Sequence, residues 1–238
     1  MPALPKACFG RNDLIEQVVG FVGEFKPVAL IGAGGIGKTS IALAVLHDDR
    51  IEKRFVDHRR FICCDQFPAS LPRFLSRLSK VIGAGVANPG NLISLHSFLS
   101  SAEMIIFLDN AESILDPQGP DARGIYYVVE ELSQYDNICL GITSWVSRAV
   151  PPRFERPMIL TLSTESACDI FYNIYNNGRR SDVVKALVKE LDFHALSITL
   201  LATTASHNMW DYDRLTREWK ARRTRVLRTD HNKSLGVC

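Results

Sequence analysis

The sequence predicts an α/β chain: a three-layer α/β/α fold around a parallel sheet, followed by a small all-helical subdomain. Three observations predict it. Short continuous apolar runs, expected of strands buried on both faces of a parallel sheet, alternate with helical segments from residue 28 to residue 162. One Gly-rich stretch, 32–37, lies between the first of these runs and a helical segment. After Leu162 the strand signals stop and only helical periodicity follows.

The elements follow in order. Leu14, Ile15, Val18, Val19 and Val22 recur at helical spacing, and Pro27 separates that helix from the first strand, 28–32. Further strands are expected at 60–65, 104–109, 138–143 and 158–162. Helices are expected near 39–47, 71–82, 92–100 and 125–134, with loops at 83–90, 116–120 and 151–157. In the helical part, Ser163 or Thr164 caps a helix whose Ala167, Ile170, Phe171, Ile174 and Tyr175 share a face, and Asn177-Gly178 ends it. Ser181 caps a helix carrying Val184, Leu187, Val188 and Leu191. A third helix runs from Leu196 to Ala205 and a fourth from Trp210 onward. The expected division is therefore 1–162 and 163–238.

Composition narrows the class. With 238 residues and 46% hydrophobic content, the chain holds one large or two small domains. No apolar run reaches the ~18 residues of a membrane span, and the first eleven residues lack the apolar core of a signal peptide. Six cysteines without metal-ligand spacing suit free thiols in a reducing, cytoplasmic setting. The net charge of +2 conceals an asymmetry. Residues 214–233 carry eight basic and two acidic side chains, a net of +6, which leaves −4 for the rest. Tyr212, Leu215, Trp219 and Val226 fall on one helical face, so this segment reads as a solvated helix rather than a nucleic-acid surface.

The chemistry is concentrated in Gly32-Ala33-Gly34-Gly35-Ile36-Gly37-Lys38-Thr39, which fits the phosphate-binding pattern G-x-x-x-x-G-K-[ST], the P-loop. Glycines let successive backbone N–H groups turn toward phosphate oxygens, and the helix that follows, near 39–47 with Thr39 and Ser40 in its first turn, offers its positive end to the same anion. Lys38 would neutralise the outer phosphates and Thr39 would ligate Mg²⁺. Met104-Ile105-Ile106-Phe107-Leu108-Asp109 has the form of a Walker B strand, with Asp109 facing the metal opposite Thr39. Glu112 is the candidate for polarising water; the alternative is a solvated turn. Asn110 occupies the position where many ATPases carry their catalytic acid, so hydrolysis would rest on Glu112 or be slow. Thr143 or Ser144, at the end of the 138–143 strand, would sense the γ-phosphate, with a capped strand end as the alternative. Arg148, Arg153 and Arg156 would reach phosphate charge or be solvated.

In this order of elements the chain resembles the NB-ARC/NACHT-like STAND class of P-loop NTPases. The resemblance rests on Phe9-Gly10-Arg11 followed by Leu14-Ile15, on the P-loop through Ser40, and on the 60–65 strand. It continues through Leu108-Asp109-Asn110-Ala111-Glu112, Gly141-Ile142-Thr143-Ser144 and Leu191-Asp192-Phe193-His194-Ala195-Leu196-Ser197, which is similar to the G-L-P-L segment of the helical ARC domain. The resemblance implies an ATP/ADP switch with Mg²⁺ in signalling or innate defence, closed with ADP and open with ATP. It implies that Phe9, Gly10 and Arg11 contact the adenosine side and that Ala195 and Leu196 pack near adenine. Two departures stand out: Trp145 where the family carries Arg, a role left to Arg148, and Ala195 in place of the motif's proline. Family members continue into a winged-helix domain, which supplies a histidine to the diphosphate, and into sensor repeats. Neither is found here, so a truncated chain is expected, with protein partners or self-association through the missing domains.

Two other functions fit the residues. A small-molecule P-loop kinase would use Arg148, Arg153 and Arg156 as a lid. A non-hydrolysing interaction module is suggested by Asn110 and Trp145. A GTPase is disfavoured because the guanine-reading N-K-x-D is missing: Asn232-Lys233 is followed by Ser234-Leu235.

Overall fold

A computed structural model describes residues 1–4, 8–86, 89–116, 120–175 and 180–223. The Asn177-Gly178 helix stop, Val226 and the basic residues beyond Arg223 lie outside the described residues. Among the described residues the chain forms two compact units. The first comprises 1–4, 13–33 and 38–159, and the second 8–12, 34–37 and 160–223.

The first unit is built on four parallel strands, β1 (Val28–Ile31), β2 (Arg59–Cys63), β3 (Met104–Asp109) and β4 (Ile138–Ser144), in the order β1-β4-β3-β2. Its helices are α1 (Asn12–Gly23), α2 (Lys38–Leu46), α3 (Asp49–Phe55), α4 (Leu71–Ile82), the single turns α5 (His96–Leu99) and α6 (Glu112–Leu115), and α7 (Pro120–Leu132). Alternation along the strands separates two cores, one on each sheet face. Ala29, Ile62, Ile106, Leu108, Leu140 and Ile142 pack with Phe74, Leu78, Ile125 and Val129 of α4 and α7. Val28, Leu30, Ile105, Phe107 and Cys139 pack on the other face with Val18 and Val22 of α1, Ile41 and Val45 of α2, and Ile51 and Phe55 of α3. These are the three layers that the alternating pattern predicts. Burying each large side chain in such a core contributes on the order of 1.5–3 kcal/mol.

Local signals set the helix ends. The Asp48 side chain accepts the Arg50 N–H at the start of α3. Leu71 and Pro72 open α4, where proline's missing N–H costs nothing, and Gly83 closes it at φ +80°.

The predicted fifth strand, 158–162, does not form. In its place is one parallel bridge, Val28 with Glu155, in which Glu155 N–H donates to Pro27 O and Ala29 N–H donates to Glu155 O, both at 2.8 Å. The next ladder donor in a parallel pair would be residue 157, which is proline and has no N–H to give. The 92–100 segment is likewise not one helix but a 3₁₀ turn, Leu92–Leu95, leading into α5.

Gly141 lies in register beside Phe107 on the adjacent strand. A Cβ there would lie 2.6 Å from ring carbons of the fully buried Phe107. Gly141→Ala is expected to destabilise the fold by roughly 1–3 kcal/mol, the usual cost of overpacking. A shift of the urea midpoint would show it, and an unchanged midpoint would contradict this packing.

The second unit carries α8 (Thr164–Ile174), α9 (Asp182–Glu190), α10 (Ala195–His207) and α11 (Tyr212–Arg222). Each begins at a side-chain cap: Ser163, Ser181, His194 and Asp211. Their apolar faces meet around Phe171, Val184, Val188, Ile198, Leu201, Leu215 and Trp219. Among the described residues no helix is long and apolar enough to cross a membrane. The five described cysteines are free thiols, and burial pushes Cys139 up to about 12.

Candidate phosphate-binding site

In the first unit the site grows from strand ends. Because β1, β3 and β4 run parallel with β4 in the middle, their carboxyl ends lie along one edge of the sheet. Gly32 follows β1 and donates its N–H to Ser144 O at 3.2 Å. Asp109 ends β3 and is fully buried. Its carboxylate accepts from the Thr39 hydroxyl at 2.9 Å and from the Thr143 hydroxyl at 2.6 Å. Residues 70 positions apart in sequence, Thr39 and Asp109, therefore touch, and their hard oxygen donors suit Mg²⁺. An anionic carboxylate with no solvent contact is costly unless compensated, and hydroxyl donors or a cation provide that compensation.

Lys38, the first residue of α2, is also buried. Its ammonium turns back onto the loop and donates to Gly32 O at 2.8 Å and Ala33 O at 2.9 Å. Burial holds it below the usual lysine value, and the nearby Glu112 and Asp109 carboxylates push the other way. A polyphosphate would give this partly desolvated cation a stronger counter-charge than carbonyl dipoles can. Ser40 follows Thr39 in α2, half-buried.

The chain turns sharply after Asp109. Asn110 adopts φ +53°, a left-handed conformation that Asn tolerates better than most residues. Its N–H donates to Thr143 Oγ1 at 3.0 Å and its side-chain amide to Asp65 Oδ2 at 3.2 Å. Glu112 opens the single turn α6, half-buried, and accepts the Trp145 N–H at 3.4 Å. Thr143 and Ser144 are fully buried. Thr143 is engaged with Asp109 and Asn110, and Ser144 accepts the Val146 N–H at 2.9 Å and donates to Val146 O at 3.1 Å. Arg148 forms an exposed ion pair with Asp116 at 2.9 Å. Arg153 is exposed, and Arg156 donates to Ser147 Oγ and Val150 O. The Trp145 side chain is exposed.

The second unit contains the loop tip, Gly34–Gly37, together with the other candidate residues. Leu196 N–H donates to Gly35 O at 3.1 Å, and His194 Nε2 lies 2.9 Å from Gly34 O. Arg11, buried, donates to Ile36 O at 3.1 Å and to Leu160 O at 2.6 Å. Burial lowers its guanidinium pKa, and among the described residues it has no carboxylate partner. Phe9 is half-buried, and Gly10 at φ +64° passes so close to Ser166 that a Cβ would lie 2.6 Å from that residue's Cβ. Ala195 packs on the helical core and Leu196 is 40% exposed.

Gly35 is held by both conformation and space. At φ +74° an L side chain is strained by about 1–2 kcal/mol, and a Cβ would come within 2.6 Å of Leu196 Cβ and 2.9 Å of His194 Cε1. Gly35→Val is expected to displace the loop tip and weaken ATP binding at least tenfold while leaving far-UV circular dichroism unchanged. Wild-type affinity in that variant would show the tip to be unimportant.

Two contributors escape sequence reading. Asp65 lies 45 positions before its partner Asn110 and reads in sequence only as the last residue of the expected 60–65 strand. His194 lies inside a noted segment, but its only local signal is a polar residue placed just before a helix.

With this geometry in hand, comparison with solved structures shows the fold to be that of P-loop ATPases. The Walker-type ATPase PABY2304 of Pyrococcus abyssi superposes with a TM-score of 0.67 at 11% identity, covering 92% of this chain and 73% of that one. The Orc1 protein of Aeropyrum pernix, solved in complex with DNA, gives 0.63 at 14% identity over 93% and 68%. Cdc6p from Pyrobaculum aerophilum gives 0.63 at 16% over 87% and 65%. No protein-family model matches the chain, and no curated protein matches it in sequence.

Proposed function

We propose that this chain is an ATP/ADP-binding switch of the STAND NB-ARC type, with slow or no ATP hydrolysis. The observation that carries the reading is the contact between the Thr39 hydroxyl and the buried Asp109 carboxylate, one residue from the Lys38 ammonium. Those three groups are what a Mg²⁺–polyphosphate needs: a hydroxyl and a carboxylate for the metal, and a cation for the outer phosphates. In this reading residues 1–162 form the nucleotide-binding domain and 163–238 an ARC-like annex. The amides of 34–39 hold phosphate, while Phe9, Gly10, Arg11, Ala195 and Leu196 serve the adenosine side. Magnesium, when bound, would screen the phosphate charge. Replacing ADP by ATP shifts the population between two forms by the difference in their affinities.

Slow turnover is supported at Asn110, whose side chain is committed to Asp65 and carries no acid. Glu112 is then the residue left to polarise water. Glu112→Gln is expected to lower any measured ATPase rate by 10²-fold or more, the usual contribution of a positioned general base, while nucleotide affinity holds. An unaltered rate would remove Glu112 from the hydrolysis, and nucleotide binding without any turnover in the wild type would favour a non-hydrolysing interaction module. Calorimetry with ATP and ADP, with and without Mg²⁺, tests the reading as a whole: absence of binding would end it.

A further inference from the structure

The second unit holds three consecutive carbonyls of the loop tip. Gly34 O meets His194 Nε2 at 2.9 Å, Gly35 O accepts from the Leu196 N–H at 3.1 Å, and Ile36 O accepts from Arg11 at 3.1 Å. In a planar trans peptide the N–H of the next residue points opposite to the carbonyl. Fixing these three oxygens therefore fixes the amides of Gly35, Ile36 and Gly37 as well, each opposite the carbonyl of its own peptide, and successive loop amides are the groups a phosphate cradle uses.

Of the three donors, His194 is the one whose side chain does two jobs. It caps α10, its Nδ1 accepting the Ser197 N–H at 3.4 Å and lying 3.0 Å from Ser197 Oγ. A backbone N–H can only donate, so Nδ1 is an acceptor and Nε2 carries the hydrogen that points at Gly34 O. The cap thus selects the tautomer that serves the loop.

We propose that His194 is a positioning residue for polyphosphate binding: by donating to Gly34 O it pre-orients the loop-tip amides for the anion. This rests on the nucleotide-binding reading above. Order present before the ligand arrives lowers the entropy lost on binding, so the residue acts on affinity without touching phosphate.

Two substitutions separate the roles. His194→Asn keeps a capping oxygen but is too short to reach Gly34. His194→Gln places an amide N–H near the Nε2 position and gives up the favoured cap. In the full chain, calorimetric affinity for Mg·ATP is expected to fall roughly 2- to 10-fold in His194→Asn, the scale of one net hydrogen bond, and to recover in His194→Gln. Nitrogen-15 relaxation on the nucleotide-free protein should show lower order at residues 35–37 in His194→Asn and recovery in His194→Gln. Unchanged order in His194→Asn, or equal losses in both variants, would overturn the proposal. If the wild-type chain binds no nucleotide, the functional reading falls separately, and relaxation alone still decides whether His194 orders the tip.

Discussion

Lys38→Ala is expected to lose most ATP affinity, by roughly 10- to 100-fold, the span of the ~1.5–3 kcal/mol that a hydrogen bond to a charged group contributes. The geometry argues for the upper part of that range. Lys38 is buried, so its ammonium has shed much of its water, and burial already holds it below its ordinary pKa. A cation in that state gains more from an incoming polyphosphate than a solvated one would. Removing it also leaves the Gly32 and Ala33 carbonyls without the donor that now serves both. Lys38→Arg is the informative companion. It keeps the charge but brings a planar fork where a compact ammonium fits, so binding should recover only in part. Calorimetric titration of ATP decides the matter. Wild-type affinity in Lys38→Ala would mean that the loop is not the phosphate site.

Asp109→Ala is expected to have the second large effect, on both stability and metal dependence. The carboxylate is fully buried and accepts from Thr39 and Thr143. Truncating it strands the fully buried Thr143 hydroxyl, at about 1–3 kcal/mol for an unsatisfied buried group, and takes the acceptor from the half-buried Thr39. It also removes one of the two oxygen donors proposed for Mg²⁺. Chemical denaturation should show a lower midpoint, and Mg²⁺ should no longer strengthen ATP binding. Asp109→Asn separates the two effects, because its amide oxygen can still accept hydrogen bonds while the anion is gone. If Asp109→Asn restored stability and Mg²⁺ still strengthened binding, the metal assignment would fail.

What the sequence discloses depends on how far apart the partners lie. The β3 run is apolar at five successive positions because both sheet faces are covered, and that pattern is visible without knowing the neighbours. The loop pattern is legible because phosphate binding requires glycine and lysine at fixed local spacing. Helix caps at Ser163 and Ser181 are local too, and both are found. Long-range pairing is not visible in this way. Thr143 reads as a sensor hydroxyl, yet it donates to Asp109, 34 positions earlier, and that pairing depends on β3 and β4 being neighbours. The expected fifth strand does not form because, although Met158, Ile159, Leu160 and Leu162 look strand-like, the missing N–H of Pro157 stops the ladder before them. His194 is hidden for a related reason: its partner Gly34 is 160 positions away.

The strand order has a consequence for the order of synthesis. β1 pairs with β4, so Val28 waits for Gly141, and Gly32 waits for Ser144. More than a hundred residues must leave the ribosome before the first strand acquires its neighbour, and chain closure over that distance is slow. The nascent polypeptide therefore carries the Val28–Ile31 run without its β4 neighbour through most of its translation.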